Sequence, residues 1–376
     1  MEGFNFSIII IFMALFGAWL YISPYPAGAD VRLPHVISNN MVLQRDMPLP
    51  IWGWAEPGEE ITIKFDSQEF KAKADAKGKW TLKLPPMKAG GPFEMEIIGK
   101  NIIKISDILV GEVWVCSGQS NMQWGVGGSL NAQQEIAAAD YPEIRLFSVP
   151  NVTAGLPALD INASWMPCNP NTVAGFSAVG YFFGRELFNM LDVPIGLINA
   201  SWGGSRIEPW TPVEGFDDVP ELKDISDRIA KAQEVFRTAF TKQLDEIDKW
   251  VEDARKALAN GDMLEPLAYI RHPLNDGNAP TAMYNGMINP VVPFAIRGAI
   301  WYQGESNRGD GMLYLKKMEA LIGGWRKVWG QGDFPFYYVQ LAPYRYDGNI
   351  YQVPEIREAQ TAALAIPNTG MTVTTD

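Results

Sequence analysis

The sequence predicts an α/β protein in which a doubly wound parallel sheet follows a small all-β domain. Three observations predict this fold. Short alternating strand patterns fill residues 31–106, strand and helix patterns alternate after residue 120, and a buried strand pattern joins the two parts. With 376 residues, 47% of them hydrophobic and 20% charged, the chain is long enough for two domains with large cores.

The joining stretch, residues 111–124, reads GEVWVCSGQSNMQW. Residues 113–116 have the β-branched, aromatic and small residues of a buried strand, and the pattern stops at a Ser-Gly pair. Ser120 follows on a sharp turn. A serine at the carboxyl end of a buried strand, beside free backbone amides, is how α/β hydrolases present a nucleophile. A Ser-Asn helix cap after an ordinary strand is the structural alternative at this point.

The amino terminus has the pattern of a signal peptide. Residues 8–22 form an apolar run too short for a comfortable membrane span, and residues 27–29 read Ala-Gly-Ala. We predict that residues 1–29 are cleaved before Asp30, that no integral membrane span remains, and that the protein is periplasmic or extracellular. Because no Lys or Arg precedes the apolar run, an uncleaved anchor or a misassigned start Met is the alternative.

Composition restricts the class of partner. The net charge of −12 argues against nucleic acid. The 13 Trp and 13 Tyr residues are numerous, and such side chains often line sugar-binding clefts, although most belong to cores. Cys116 and Cys168 are too few for a disulfide framework, and Cys116 reads as a small buried hydrophobe.

The order of patterns predicts the domain organisation. Closely spaced strand patterns separated by Pro-Gly, Lys-Gly and Gly-Gly signals predict a β-sandwich domain over residues 30–106, joined without a flexible linker to residues 107–376. In the second part we predict a five-stranded parallel sheet and an inserted charged helix over residues 220–262. The strand patterns after Ser120 lie at residues 143–149, 193–201, 296–305, 335–343 and 371–376, and the helix patterns at 176–191, 312–329 and 354–365.

Amide-rich loops follow three of the predicted strands. They read GQSN at residues 118–121, SWGGS at residues 201–205 and YQGESN at residues 302–307. In an open parallel sheet the site lies outside the carboxyl ends of the strands. Small residues, free backbone amides and side-chain amides are the parts of an oxyanion hole. One Gly-Gly pair is more often a turn device, but three such loops indicate a site for acyl transfer.

These blocks resemble a known family. GQSNM, INASWGGSRIEPW, MYNGMI and IWYQGESN are similar to the blocks of the sialate O-acetylesterase family, within the SGNH (GDSL-like) hydrolases. The resemblance extends to NNMVLQRDMPLPIWGWAEPGE in the β-domain. It implies an SGNH-type three-layer α/β/α domain over residues 107–376, a serine esterase without metal or cofactor, and an acetylated carbohydrate as substrate, sialic acids foremost. The alternatives are a catalytically silent carbohydrate-binding protein and an acetylesterase acting on plant cell-wall polysaccharide.

The resemblance also assigns residues. It implies Ser120 as nucleophile and gives the oxyanion hole the amide of Ser120 with that of Gly204 or Gly203. A further donor comes from the third loop, where Gln303, Glu305 and Asn307 are candidates and Asn307 is preferred. Gln119 and Asn121 complete the candidate set.

Two candidates have structural alternatives. Glu305 could equally be a buried carboxylate paired with an arginine. Arg206 could hold a substrate carboxylate, which would favour sialic acids, or form a salt bridge to Glu208, and we prefer the salt bridge.

The sequence does not identify the catalytic base. Family members carry a His, with an Asp shortly before it, after the fifth strand of the sheet, whereas this sequence stops at Asp376. We therefore expect a chain cut before its base and nearly inactive as given, with Asp376 as the candidate acid. His35 and His272 are its two histidines, and His272 is the alternative base. No His/Cys cluster has the spacing of metal ligands.

Overall fold

The computed structural model of the chain describes residues 30–263, 266–267, 269–344, 346 and 349–374. The predicted signal peptide, residues 1–29, lies outside the described residues. Within the described part, none of the helices combines the length and the apolar character needed to cross a membrane.

The described residues form thirteen β-strands and seven α-helices. The strands are β1 (Val42–Gln44), β2 (Leu49–Trp54), β3 (Glu60–Phe65), β4 (Gln68–Lys73), β5 (Lys79–Leu84), β6 (Gly90–Ile98), β7 (Ile102–Gly118), β8 (Tyr141–Ser148), β9 (Trp165–Cys168), β10 (Ile195–Ser201), β11 (Gly298–Tyr302), β12 (Phe336–Val339) and β13 (Thr369–Thr372). The helices are α1 (Ser120–Gln123), α2 (Ala132–Ala137), α3 (Ala178–Leu191), α4 (Val213–Asp217), α5 (Lys223–Asn260), α6 (Leu313–Trp329) and α7 (Gln352–Ala362).

Strand β7 connects the two parts of the molecule. Its 17 residues are almost continuously buried from Ile108 onward, as expected of the apolar pattern in the joining stretch. The amino-terminal half pairs with β6 and β1, and the carboxyl-terminal half pairs with β10 and β11. All but β2 and β5, which pair with each other, therefore belong to one eleven-stranded sheet. The predicted domain boundary between residues 106 and 107 falls inside β7, and the division into domains stays a prediction.

The parallel part of the sheet contains six strands rather than the five predicted. The order is β13-β12-β11-β7-β10-β8, with every neighbouring pair parallel. The predicted total was one too low, because the joining strand and the five later strand patterns already make six. A seventh strand, β9, pairs antiparallel with β8 at the edge. Its four residues include Pro167 and show no clear alternation, so sequence analysis predicted no strand there.

The helices form where the sequence shows helical periodicity. Helix α3 begins at Ser177, whose Oγ accepts a 3.0 Å hydrogen bond from the N–H of Gly180. The predicted charged insertion is observed as the 38-residue helix α5, which buries Ile225 and Ile229 against an apolar cluster that includes Phe216. Most charged side chains of α5 are exposed, which supports its predicted packing role.

The register of the sheet brings the three amide-rich loops together. Gly118, the last residue of β7, lies opposite Ser201 on one side and Tyr302 on the other. Gly118 has a φ of +139°, and a Cβ there would lie 2.2 Å from the carbonyl oxygen of Tyr302. Glycine is required at this position because a side chain would collide with the neighbouring backbone. The chain can therefore leave β7 directly beside the ends of β10 and β11.

Candidate active site

Ser120 is the first residue of helix α1, two residues beyond the end of β7. The side chain is exposed, and its hydroxyl has no hydrogen-bond partner among the described residues. The preceding Gln119 makes no side-chain cap to the helix. The amides of the first helical turn have no intrahelical acceptors, so they remain available to an oxygen bound at Ser120. This placement fits the predicted nucleophile.

The second loop, residues 201–205, lies beside Ser120. A Cβ built on Gly203 would be 3.6 Å from the Cβ of Ser120, so the two residues are near neighbours. The N–H of Gly203 donates to Gln123 Oε1 at 2.8 Å, whereas that of Gly204 has no acceptor among the described residues. Gly204 has a φ of +75°, a conformation that favours glycine. Of the two predicted amides, the structure leaves that of Gly204 available.

Gln119 joins the first loop to the third. Its Oε1 accepts from the N–H of Gly304 at 3.2 Å and from that of Ser306 at 3.4 Å. Backbone N–H groups can only donate, so they fix the orientation of the Gln119 amide. Its Nε2 has no acceptor in the described part of the chain. Ser306 in turn donates from Oγ to the carbonyl of Gly204 at 2.9 Å, which connects the third loop to the second.

Asn121 and Glu305 are in direct contact. Asn121 Nδ2 donates to Glu305 Oε1 at 2.7 Å, while Glu305 Oε2 is buried without a partner. Burial raises the pKa of the Glu305 carboxyl above its usual value. No ion pair between Glu305 and an arginine is found among the described residues, where the carboxylate contacts the amide of Asn121 instead.

Asn307 does not have the geometry of an oxyanion donor, which corrects our preferred assignment. Its Nδ2 donates to Glu208 Oε2 at 3.0 Å and to Asp310 Oδ2 at 2.7 Å, and its side chain is fully buried. Both N–H bonds of this amide are therefore used. Its Oδ1 accepts from the N–H of Ile207 and from Gln303 Nε2.

The side-chain amide of Gln303 is likewise occupied by hydrogen bonds within the protein. Besides Asn307, its Nε2 donates to the carbonyl of Ser205, and its Oε1 accepts from the hydroxyl of Tyr314 at 2.7 Å. Gln303 is also completely buried. Together, Gln303 and Asn307 support the second and third loops from beneath and have no N–H left for a substrate.

Arg206 forms the salt bridge that we preferred over a substrate contact. Its Nη2 lies 3.0 Å from Glu208 Oε1 and 3.0 Å from Asp310 Oδ1, and its Nη1 donates to the carbonyl of Ser306. Lys317, on helix α6, contacts the same two carboxylates at 2.7 and 2.6 Å. Two cations and two anions thus balance one another below the site.

The electrostatics of this cluster hold Glu208 ionised. Burial opposes ionisation, but the contacts with Arg206, Lys317 and Asn307 outweigh it and lower the pKa of Glu208 to about 2. Sequence analysis missed Lys317, Asp310 and Tyr314 as parts of this support. One signal was available, since Lys317 lies three residues after Tyr314 and one before Met318 on the apolar face of its helix.

Comparisons with known proteins decide the family. The family model described as carbohydrate esterase, sialic acid-specific acetylesterase matches residues 110–242 and 270–376. The chain belongs to this family. It is 34% identical to the sialate O-acetylesterase of Rattus norvegicus, covering 93% of this chain and 68% of that protein, and 33% identical to that of Homo sapiens, covering 93% and 66%. Among solved structures it is similar to a carbohydrate acetylesterase from Xanthomonas citri, with 32% identity, a TM-score of 0.74, and coverage of 92% of this chain and 68% of that one.

In this member of the sialic acid-specific acetylesterase family, a group of carboxylic ester hydrolases, neither histidine contacts Ser120 among the described residues. His35 forms a 2.7 Å hydrogen bond with Asp160 at the surface. His272 is 6% exposed; its Nδ1 accepts from the N–H of Leu274, and its Nε2 is buried without a partner. Neither ring nitrogen of His272 is open to a substrate, which contradicts its use as a base. Asp376, the candidate acid, lies outside the described residues.

The two cysteines of this family member, Cys116 and Cys168, are both buried and free. Burial raises the pKa of the Cys116 thiol well above its usual value, as expected of a small buried hydrophobe. In the described part of the chain, no group of three His, Cys, Asp or Glu side chains could hold a metal ion.

Proposed function

We propose that this protein is an exported serine esterase that removes O-acetyl groups from carbohydrates, with O-acetylated sialic acids as its substrates, through an acetyl-serine intermediate. The observation that carries the proposal is the position of Ser120 at the end of β7, exposed, with the uncommitted amide of Gly204 on the adjacent loop. Membership in the sialic acid-specific acetylesterase family and the names of the relatives support the substrate class.

The proposed reaction has two steps. Ser120 Oγ attacks the acetyl carbonyl carbon, its proton passes to a base, and the sugar oxygen leaves as an alcohol after protonation. Water then attacks the acetyl-serine, acetate is released, and Ser120 regains its proton. The amides of Ser120 and Gly204 would stabilise negative charge on the carbonyl oxygen in both steps. We assign Asn121 and Gln119 to substrate contact or to positioning of the loops around Ser120.

A second candidate function, carbohydrate binding without catalysis, has one observation in its favour. Neither histidine is placed to deprotonate Ser120 in the described residues, and a serine hydroxyl needs such a base for efficient attack. An acetylesterase acting on plant cell-wall polysaccharide is the third candidate. It would use the same serine but would need no contact to a substrate carboxylate.

One set of measurements separates the three candidates. Acetate release is followed for the parent protein and for Ser120→Ala, with an O-acetylated sialic acid, an acetylated xylan and an aryl acetate as substrates. The proposal predicts release from the sialic acid that falls at least about 10³-fold in Ser120→Ala. Binding of the sugar without release would establish the silent protein, and preference for the xylan would establish the third candidate. Amino-terminal sequencing of the exported protein tests cleavage before Asp30.

A further inference from the structure

Arg308 directly follows the third loop, residues 302–307. Its Nη1 donates to the backbone carbonyl of Glu305 at 3.3 Å, and the Glu305 side chain contacts Asn121, the residue after Ser120. The same loop contacts Gly204 through Ser306. Arg308 is therefore linked through the third loop to the loops that carry Ser120 and Gly204.

The charge of the Arg308 guanidinium is not balanced by a carboxylate of the described residues. No ion pair to it is found among the described residues, and its Nε is buried without an acceptor. This is unusual beside a strongly acidic chain with 43 Asp and Glu against 31 Lys and Arg. The Nη2 of Arg308 also has no acceptor in the described part of the chain, and it is not among the buried atoms. An anion that accepts from Nη2 would satisfy a charged donor, whose unmet hydrogen bond costs more than that of a neutral one.

The ring of Tyr346 orients this guanidinium. The Cζ of Arg308 lies 4.7 Å from the centroid of the Tyr346 ring. An aromatic ring on its face restricts the guanidinium while its N–H groups point outward in the guanidinium plane. With Nη1 directed at Glu305 and Nε buried, Nη2 is the nitrogen that remains for an anion. A carboxylate oxygen would accept a charge-assisted hydrogen bond from Nη2.

The guanidinium of Arg206 is not available to bind a substrate carboxylate. Its guanidinium already donates to Glu208, Asp310 and the carbonyl of Ser306. The contrast between a fully paired arginine below the site and an unpaired one directly after the third loop indicates where a negative substrate would be recognised.

We propose that Arg308 binds the carboxylate of an O-acetylated sialic acid and thereby determines specificity for acidic over neutral acetylated sugars. This inference rests on the proposed function. The carboxylate is attached to the sugar ring, away from the acetyl groups on the side chain of a sialic acid. Its partner must therefore lie apart from Ser120, and Arg308 reaches the neighbour of Ser120 only through Glu305.

The test measures binding in the Ser120→Ala background, where turnover does not interfere. The two ligands are an O-acetylated N-acetylneuraminic acid and its methyl ester, which keeps the acetyl group but removes the charge. Calorimetric titration of Arg308→Ala should show roughly 10- to 100-fold weaker binding of the acid and unchanged binding of the methyl ester. Arg308→Lys should recover part of the loss, because it restores the charge without the planar guanidinium.

Arg255→Ala is the matched control, because it removes the same charge from the exposed surface of helix α5. It should bind both ligands as the parent does. Equal weakening of both ligands by Arg308→Ala would reveal a structural role and overturn the proposal, and so would unchanged binding of the acid. If the Ser120→Ala protein with Arg308 intact binds neither ligand, the proposed function itself fails. That result is distinguishable because it appears before Arg308 is altered.

Discussion

Asn121 Nδ2 donates a 2.7 Å hydrogen bond to Glu305 Oε1 across 184 positions of sequence. The bond joins the loop that carries Ser120 to the loop that Arg308 directly follows. Since the other oxygen of Glu305 is buried without a partner, the carboxylate is held in the site at a cost to stability. Unfavourable burial of a titratable group beside a nucleophile is a frequent mark of a functional residue.

We expect Glu305→Gln to raise stability at neutral pH and to lower esterase activity. The folded-state pKa of Glu305 is raised, so its ionised form destabilises the fold above that pKa, and the cost disappears as the pH falls below it. The amide retains an oxygen for Asn121 and removes the buried charge. Urea unfolding at neutral and acid pH, with acetate release measured alongside, tests this. Equal stability effects at both pH values would contradict the electrostatic explanation.

Glu208 should contribute stability with the opposite pH dependence. Its folded-state pKa is lowered from 4.5 to about 2, so its contribution is complete above 4.5 and is lost as the pH falls from there toward 2. The shift corresponds to about 3 kcal/mol, an order-of-magnitude value for this buried network. Urea unfolding between neutral pH and pH values near 3 should show a weaker acid dependence in Glu208→Gln than in the parent. The exposed Glu358 supplies the control substitution, Glu358→Gln, which should follow the parent curve.

Lys317→Met should destabilise the protein by about 3–5 kcal/mol, because it leaves Glu208 and Asp310 buried with one cation fewer. Activity should decline on charged and neutral acetyl esters alike, since the loss is in the support of both loops. The double variant Lys317→Met/Glu208→Gln should recover part of the stability. A strictly additive double variant would show that the two side chains are not coupled.

Arg206→Ala should lower activity equally on an O-acetylated sialic acid and on an uncharged acetylated sugar. Its guanidinium contacts Glu208, Asp310 and Ser306, so its removal loosens the loops without removing a substrate contact. The measurement compares the ratio of kcat/KM for the two substrates in Arg206→Ala with the same ratio in the parent. A loss of activity confined to the sialic acid would show that Arg206 binds the substrate carboxylate.

Gly204→Ala should lower activity at least as much as it lowers stability. The position has a φ of +75°, which costs a side chain about 1–2 kcal/mol, yet no atom lies within 4 Å of a Cβ there. The new methyl group causes backbone strain without a collision, and relief of that strain would turn the amide proposed to face the acetyl carbonyl. Thermal unfolding and initial rates on an aryl acetate check both effects. Activity equal to that of the parent would remove Gly204 from the oxyanion hole.

The sequence by itself determined the α/β class, the order of strands and helices, and the three loops that surround Ser120. These follow from local properties: the apolar run of β7, the periodic faces of α3 and α6, and glycines at turns that exclude side chains. Because parallel strands end at the same edge of a sheet, strand order was enough to place GQSN, SWGGS and YQGESN together.

Only the tertiary structure decided which side chains in those loops remain free. Asn307 and Arg206 carry the chemistry of a donor and of a carboxylate receptor, yet Glu208, Asp310 and Lys317 occupy their hydrogen-bonding groups. These partners come from separate segments, and a local pattern cannot report a contact between them. A polar side chain has a fixed number of donors and acceptors. Whether it serves a substrate or the fold depends on the distant residues that folding brings within hydrogen-bonding distance.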